Sequence, residues 1–180
     1  MSTAQEAPPD PTNKLLSYWA NPQFRYPVLM LLYLLIGGSA FTWAMAAFPE
    51  QIEAIDRATA TVVYQFVHLF SPLTTQRGGL VTLDGFAVAI IIECVGLLEM
   101  VIYSACVLAF PAPLRAKAWG IPLGCAAIFG FNVLRISTLL VVGRYWNGYF
   151  DFFHVYFWQA TLIVMIVSVL YGWIKLFVPR

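Results

Sequence analysis

Three side chains that could perform chemistry lie within the long apolar stretches of this 180-residue sequence: Cys94, Arg135 and His154. A thiol can act as a nucleophile, a guanidinium as a fixed cation and an imidazole as a proton carrier near neutral pH. An arginine within a membrane-spanning helix is costly and normally faces a partner or a wet cavity. The three residues are therefore candidates for one catalytic site, provided that the elements carrying them meet.

Each residue also has an interpretation without chemistry. Arg135 could extend its side chain toward the membrane interface, and a shared depth of three residues could arise by chance. Cys106 and Cys125 lie in apolar runs without CxxC spacing, where a free cysteine acts as a small hydrophobe. The sequence predicts no disulfide framework, no metal site and no cofactor.

The composition indicates an integral membrane protein. Hydrophobic residues make up 61% of the chain and charged residues 11%, whereas soluble domains carry about 25% charged residues. The net charge is only +1 and no basic block occurs, so the sequence does not favour a nucleic-acid partner.

The apolar runs predict an all-α polytopic membrane protein with about four transmembrane helices. Residues 26–180 would form a single membrane domain behind a disordered cytosolic tail, 1–25. A span needs about 20 apolar residues, and the predicted spans cover about 26–48, 86–110, 119–142 and 152–177.

The segment between the first two spans is more polar. Residues 50–70 begin with charges and then repeat apolar positions every three or four residues, which predicts an interfacial amphipathic helix. A short fifth span over 58–70 is the alternative. The Gly- and Pro-containing stretch 71–85 predicts a loop, with a short extended piece at 80–83.

The positive residues of the short connections predict the orientation. Lys and Arg at positions 14, 25, 115, 117, 175 and 180 would share the cytoplasmic side. Both termini would then be cytoplasmic, and the three candidate residues would lie in the outer half of the membrane. Helical spacing predicts that Cys94 is roughly 12 Å deep and Arg135 roughly 10 Å deep, with His154 at the first turn of the last span.

Neighbouring residues could support the three candidates. Asn132 lies one turn before Arg135 on the same face, and Glu93 could either pair with Arg135 or be protonated. Asp151 could fix the tautomer of His154 or act as a helix N-cap. One glycine and one glutamate complete the set. Gly96 leaves room for a substrate helix, and the role of Glu99 stays open.

The runs Glu93-Cys94-Val95-Gly96 and Asn132-Val133-Leu134-Arg135, followed by His154, resemble the exosortase/archaeosortase family of membrane-embedded, sortase-like transpeptidases. The resemblance covers residues 86–177. The family often has a small hydroxyl residue where this chain has Val95.

The resemblance implies a function. Cys94, Arg135 and His154 would cleave exported proteins that end in a short motif, a transmembrane helix and a basic tail. The reaction would pass through a thioester on Cys94 to a lipid or cell-surface acceptor, near the outer face of the cytoplasmic membrane.

A different class of function is compatible with the same polar residues. A small transporter or assembly partner could use Glu93, Glu99, Asn132 and Arg135 to line a cavity within the membrane. No internal repeat of the kind found in transporters is evident in the sequence. A carrier should also tolerate Cys94→Ser, whereas a thiol nucleophile should not.

Overall fold

The computed structural model describes residues 21–178, so the predicted tail lies outside the described residues up to position 20. Helix α1 (Pro22–Ala47) starts four residues earlier than predicted. The Asn21 side chain caps it by accepting a hydrogen bond from the Gln23 N–H at 3.1 Å, as is usual at a helix N-terminus. Helix α2 (Pro49–His68) follows at once and has Thr59, Ala60, Val63 and Val67 buried on one face.

Residues 74–89 form an antiparallel sheet in the order β1 (Thr74–Arg77), β2 (Leu80–Leu83) and β3 (Phe86–Ala89). The predicted extended piece at 80–83 is confirmed as β2, but the surrounding loop prediction was wrong. Asp84 and Gly85 join β2 to β3 with φ values of +45° and +90°. Two-residue Asp-Gly connections with positive φ favour a tight hairpin.

The helix predicted over residues 86–110 is interrupted. After β3 come a short helix, α3 (Ile92–Val95), and then α4 (Leu97–Ala109). Gly96 separates the two helices with φ +86° and ψ 15°, a left-handed conformation that glycine adopts readily. The 13 residues of α4 extend about 20 Å, less than the roughly 30 Å of a bilayer core. The depth predicted for Cys94 assumed a helix from Phe86 onward, and the strand β3 replaces that helix.

The C-terminal half contains the two longest apolar helical segments. Helix α5 (Leu114–Tyr145) is followed by a 3₁₀ turn (Asn147–Tyr149), a π-helix (Phe152–Phe157) and helix α6 (Trp158–Phe177). Among the described residues, three helical segments are long and apolar enough to cross a membrane: Gln23–Ala47, Leu114–Tyr145 and Phe152–Phe177. They correspond to the first, third and fourth predicted spans.

Helix α5 contributes to two separate cores. The first core lies near the N-terminus of α5. Tyr103 donates a hydrogen bond to the Gly120 carbonyl and Trp173 donates one to the Ala116 carbonyl, both at 2.9 Å. This core joins α4, α5 and α6. Toward its C-terminus, α5 packs against α2, the sheet and α3, through buried residues that include Ala60, Val63, Val81, Leu83, Val95, Val133, Ile136 and Leu140. The second core surrounds the candidate site.

Candidate functional site

A hairpin anchored to the end of α5 positions the segment that carries Cys94. Arg144 Nε donates a hydrogen bond to Asp84 Oδ2 at 2.9 Å, and Arg144 and Asp84 form an ion pair. A side chain at Gly143 would collide with the Phe86 ring, 2.1 Å from its hypothetical Cβ. The β2–β3 turn and the start of β3 are thus held against α5, which directs the chain that follows β3 back along this helix.

The junction between α3 and α4 is in direct contact with α5 at Asn132. A Cβ on Gly96 would lie 1.7 Å from Asn132 Nδ2, so only glycine fits here. The space that Gly96 leaves is filled by Asn132 of the same chain, and it is not open to a substrate helix as expected. Glycine is therefore required at position 96 for two reasons: the backbone is left-handed there, and the Asn132 amide occupies the space of a side chain.

Cys94 lies two residues before this contact and is half-buried. It packs against the core that contains Val133 and Ile136. Burial raises the pKa of its thiol, the Arg135 charge lowers it, and the charges of Glu93 and Asp56 raise it again. Arg135 therefore lies within electrostatic range of Cys94.

Asn132 and Arg135 carry buried polar atoms without partners. Asn132 is fully buried and Arg135 is 9% exposed. Asn132 Nδ2 and Oδ1 and Arg135 Nε have no hydrogen-bond partner among the described residues. An unsatisfied buried polar group costs about 1–3 kcal/mol, so a cluster of them beside a thiol calls for an explanation. Unused N–H groups of this kind are able to donate hydrogen bonds to an oxygen of a bound group, which would explain why they are kept.

Of the two possibilities for Glu93, the ion pair with Arg135 does not occur among the described residues. Within residues 21–178 the ion pairs are Arg57–Glu53 and Arg144–Asp84, and Glu93 is exposed. The cause is the short α3, which ends at Gly96 and does not follow the helical path assumed for Glu93. Glu99 is half-buried in the first turn of α4.

Asp56 of α2 is a site residue that the sequence reasoning missed. Its Oδ1 is buried without a partner, and its charge acts on Cys94. The pKa of Asp56 is raised by burial, then by Glu93 and by Glu53. The available signal was its spacing, because Asp56 is four residues after Ile52 and seven before Val63, on the face of α2 that packs inward.

His154 lies in the π-helix, with its ring exposed. The ring stacks on Phe150, with centroids 5.6 Å apart and planes 7° apart. Phe150 in turn meets Phe86 edge-on at 5.4 Å. These aromatic contacts end at Phe86, and no hydrogen bond or ion pair within residues 21–178 joins His154 to Cys94 or Arg135. The structure therefore does not bring His154 into contact with the other two candidate residues.

Asp151 supports His154 in neither of the ways considered. It occupies the N-cap position of the π-helix, but its side chain makes no capping hydrogen bond. No hydrogen bond between Asp151 and His154 occurs in the part of the chain that the structure describes. π-Helical turns are rare in proteins, and many of those that occur lie at functional sites.

The same region has no donor set for a metal. No group of three or more His, Cys, Asp or Glu side chains is placed to hold an ion within residues 21–178. Comparison of the chain with family models, with curated proteins and with solved structures finds no match. The arrangement of Cys94, Arg135 and Asn132 is therefore the principal basis for a functional assignment.

Proposed function

We propose that the chain is a membrane-embedded cysteine transpeptidase that cleaves C-terminal sorting signals through a thioester on Cys94. The observation that carries the proposal is a half-buried thiol on which the Arg135 charge acts, two residues before the contact of Gly96 with Asn132. Buried nitrogen atoms of Arg135 and Asn132 lack hydrogen-bond partners among the described residues. The sequence resemblance to exosortases and archaeosortases supports the same assignment. It supplies the substrate class: exported proteins with a short motif, an apolar helix and a basic tail.

The first step is nucleophilic attack by Cys94. Its sulfur bonds to the carbonyl carbon of the scissile peptide, the thiol proton passes to His154, and the carbonyl oxygen becomes an oxyanion. Arg135 Nε and Asn132 Nδ2 are the proposed oxyanion donors. Such donors count most in a site that excludes water and is organised before the reaction.

The second step releases the leaving group. The oxyanion re-forms the carbonyl, the C–N bond breaks, and His154 gives its proton to the departing amine. A lipid or cell-surface nucleophile then attacks the thioester and loses its proton to His154, and the C–S bond breaks. His154 returns this proton to the Cys94 sulfur, which restores the starting thiol. The exposed ring of His154 supports this role, because a proton carrier for two successive partners must be reachable by both.

Asp56 is the alternative acceptor for the thiol proton. The charge of its carboxylate acts on Cys94, whereas the His154 ring stacks on Phe150. Variants separate the two roles. If His154 performs both steps, His154→Ala loses activity and Asp56→Asn retains it. If Asp56 takes the thiol proton, Asp56→Asn also slows formation of the thioester.

The proposed location is the cytoplasmic membrane, with both termini inside and the site near the outer face. The distribution of charge supports this orientation, since Arg25, Lys117 and Lys175 lie at the opposite end of the bundle from Asp84 and Arg144. Labelling of Cys94 in intact cells with a membrane-impermeant maleimide tests it. Cys106→Ala/Cys125→Ala is the background, and labelling only after the cells are broken would contradict the orientation.

The decisive experiment detects the thioester. The full chain is expressed in its own host, and intact-mass analysis looks for a hydroxylamine-sensitive adduct on Cys94. We expect the adduct in the unaltered chain, none in Cys94→Ala, and much less in His154→Ala, because the imidazole takes the thiol proton and protonates the leaving amine before the thioester can form. Cys125→Ser is the matched control, because Cys125 is another half-buried free cysteine in the other core. Normal processing of exported proteins by Cys94→Ser would contradict the proposal and favour the non-enzymatic alternative.

A further inference from the structure

Cations are concentrated at the end of the bundle where α1 and α5 begin and α4 and α6 end. This end carries Arg25, Arg115, Lys117 and Lys175. The described carboxylates belong to residues 50–99 and to Asp151, and Glu99 lies at the far end of α4, about 15 Å from its last residue. No ion pair within residues 21–178 neutralises these cations.

Two of the cations line one cavity of about 330 Å³, together with Tyr26, Tyr33 and the backbone that leaves α4. Lys117 Nζ donates a hydrogen bond to the Leu108 carbonyl at 2.6 Å, which leaves two of its three N–H groups for another acceptor. The Arg25 charge acts on Lys117. Two neighbouring cations without a carboxylate form a site for an anion, and arginine is well suited to the oxygens of phosphate.

An apolar groove of about 360 Å³ continues from this cavity along α1 and α4. The groove and the cavity share Tyr33 and Leu108, and apart from Ser104 the rest of the groove is lined by apolar residues that include Ile36 and Val101. Helices α1 and α4 approach closely here, because a Cβ on Gly37 would lie 2.8 Å from Val101 Cγ1. A cationic cavity that opens into an apolar groove has the shape of a charged headgroup followed by an acyl chain.

We propose that Arg25 and Lys117 bind the phosphate of an anionic membrane lipid, and that one acyl chain of this lipid lies in the groove between α1 and α4. Basic sites between transmembrane helices on the cytoplasmic side are suited to anionic headgroups. A free phosphate offers the same oxygens to the two cations, but it leaves the apolar groove unused. This site is separate from Cys94, and its existence does not depend on the proposed transpeptidase activity.

Native mass spectrometry of the full chain in a neutral detergent tests the headgroup site. The probes are dioleoyl phosphatidylglycerol and dioleoyl phosphatidylcholine, which have the same chains but differ in net charge. We expect tighter binding of phosphatidylglycerol, and a loss of about 10- to 30-fold in Arg25→Gln/Lys117→Gln, since each basic residue near a membrane surface contributes about fivefold. Arg115→Gln/Lys175→Gln removes the same charge from the same end without touching the cavity, and should change binding less than about threefold.

Three results would overturn this part of the proposal. These are equal binding of the two lipids, equal losses in the two double variants, and no loss in Arg25→Gln/Lys117→Gln. The second result would mean that only the general charge of this end matters. Displacement of phosphatidylglycerol by millimolar inorganic phosphate would assign the cavity to free phosphate and would overturn the lipid assignment.

The groove is tested by a pair of surface substitutions on α1. Ile36→Trp fills the groove, whereas Leu35→Trp adds the same bulk on a neighbouring exposed position that lines a different surface. Both residues are more than half exposed, so both variants should fold. We expect Ile36→Trp to weaken phosphatidylglycerol binding and to leave binding of glycerol 3-phosphate unchanged. Equal effects of the two tryptophans on the lipid would contradict the acyl-chain position.

Discussion

Gly96→Ala should be one of the most destabilising single substitutions in this chain. The backbone at Gly96 has φ +86° and ψ 15°, and an L-residue in the left-handed region costs roughly 1–2 kcal/mol. The new Cβ would also fall 1.7 Å from Asn132 Nδ2 and 2.9 Å from its Cγ. Asn132 is fully buried, so it has little room to move, and overpacking of this kind costs about 1–3 kcal/mol. The expected loss is therefore about 2–5 kcal/mol.

Two other glycines separate these contributions. Gly85 has φ +90° but no atom within 4 Å of its hypothetical Cβ, so Gly85→Ala should show the backbone cost alone, about 1–2 kcal/mol. Gly130 lies within α5 and also faces open space. Gly130→Ala should stabilise by up to about 1 kcal/mol, because alanine favours helix more than glycine does.

Equilibrium unfolding of the purified variants in mixed micelles measures these differences, and a double-mutant cycle isolates the contact. In Gly96→Ala/Asn132→Ala the two Cβ atoms would be 3.6 Å apart, an ordinary contact, so only the backbone cost should remain. The coupling should therefore recover about 1–3 kcal/mol. A loss for Gly96→Ala no larger than that for Gly85→Ala, with no coupling to Asn132, would refute the contact and with it the position of Cys94 beside α5.

Three further predictions concern the charges around the site. Arg135→Gln should move the pH profile of Cys94 alkylation by iodoacetamide to higher pH, because the Arg135 charge lowers the pKa of the thiol; an unchanged profile would separate the two residues. Asp56→Asn should move the same profile to lower pH, because it removes a charge that raises this pKa, and a shift in the other direction would contradict the placement of Asp56. Arg144→Gln should cost only about 0.2–1 kcal/mol in unfolding experiments, because its ion pair with Asp84 is exposed; a loss above about 2 kcal/mol would mean that the pair does more than anchor the hairpin.

The sequence was a good guide wherever length and hydropathy decide the structure. The apolar runs that become α1, α5 and the last helical segment were predicted to within a few residues, because a long apolar segment has few alternatives to a helix. The stretch after Asp84 was predicted less well, because Phe-Ala-Val-Ala is equally apolar as a strand or as the start of a helix. The Asp84-Gly85 pair was the local signal for a hairpin, and its positive φ values decide the outcome.

The site was predicted in part for a related reason. Cys94, Arg135 and His154 were expected to converge; the Arg135 charge acts on the Cys94 thiol, whereas the ring of His154 stacks on Phe150. The predicted pairing of Glu93 with Arg135 depended on a continuous helix, and the turn at Gly96 removes that helix. Asp56 was missed because its charged neighbours in the first turns of α2 suggested a solvated surface, whereas its spacing from Val63 places it on the packed face. The Glu93 error came from the backbone path between Phe86 and Leu97, which apolar composition alone does not specify.

The two cores of α5 satisfy their buried polar atoms differently, and the difference separates structure from function. In the first core, the polar atoms of Tyr103 and Trp173 are bonded to carbonyls of α5 itself, so they fix how the helices pack. In the second core, Asn132 and Arg135 keep buried nitrogen atoms without partners among the described residues, although apolar side chains of similar shape would avoid that cost. A fold retains such unsatisfied groups only if the rest of the structure compensates for their free-energy cost. Groups of this kind cluster at functional sites. The proposed site at Cys94 accounts for this cost, because Arg135 and Asn132 would donate hydrogen bonds to the oxyanion.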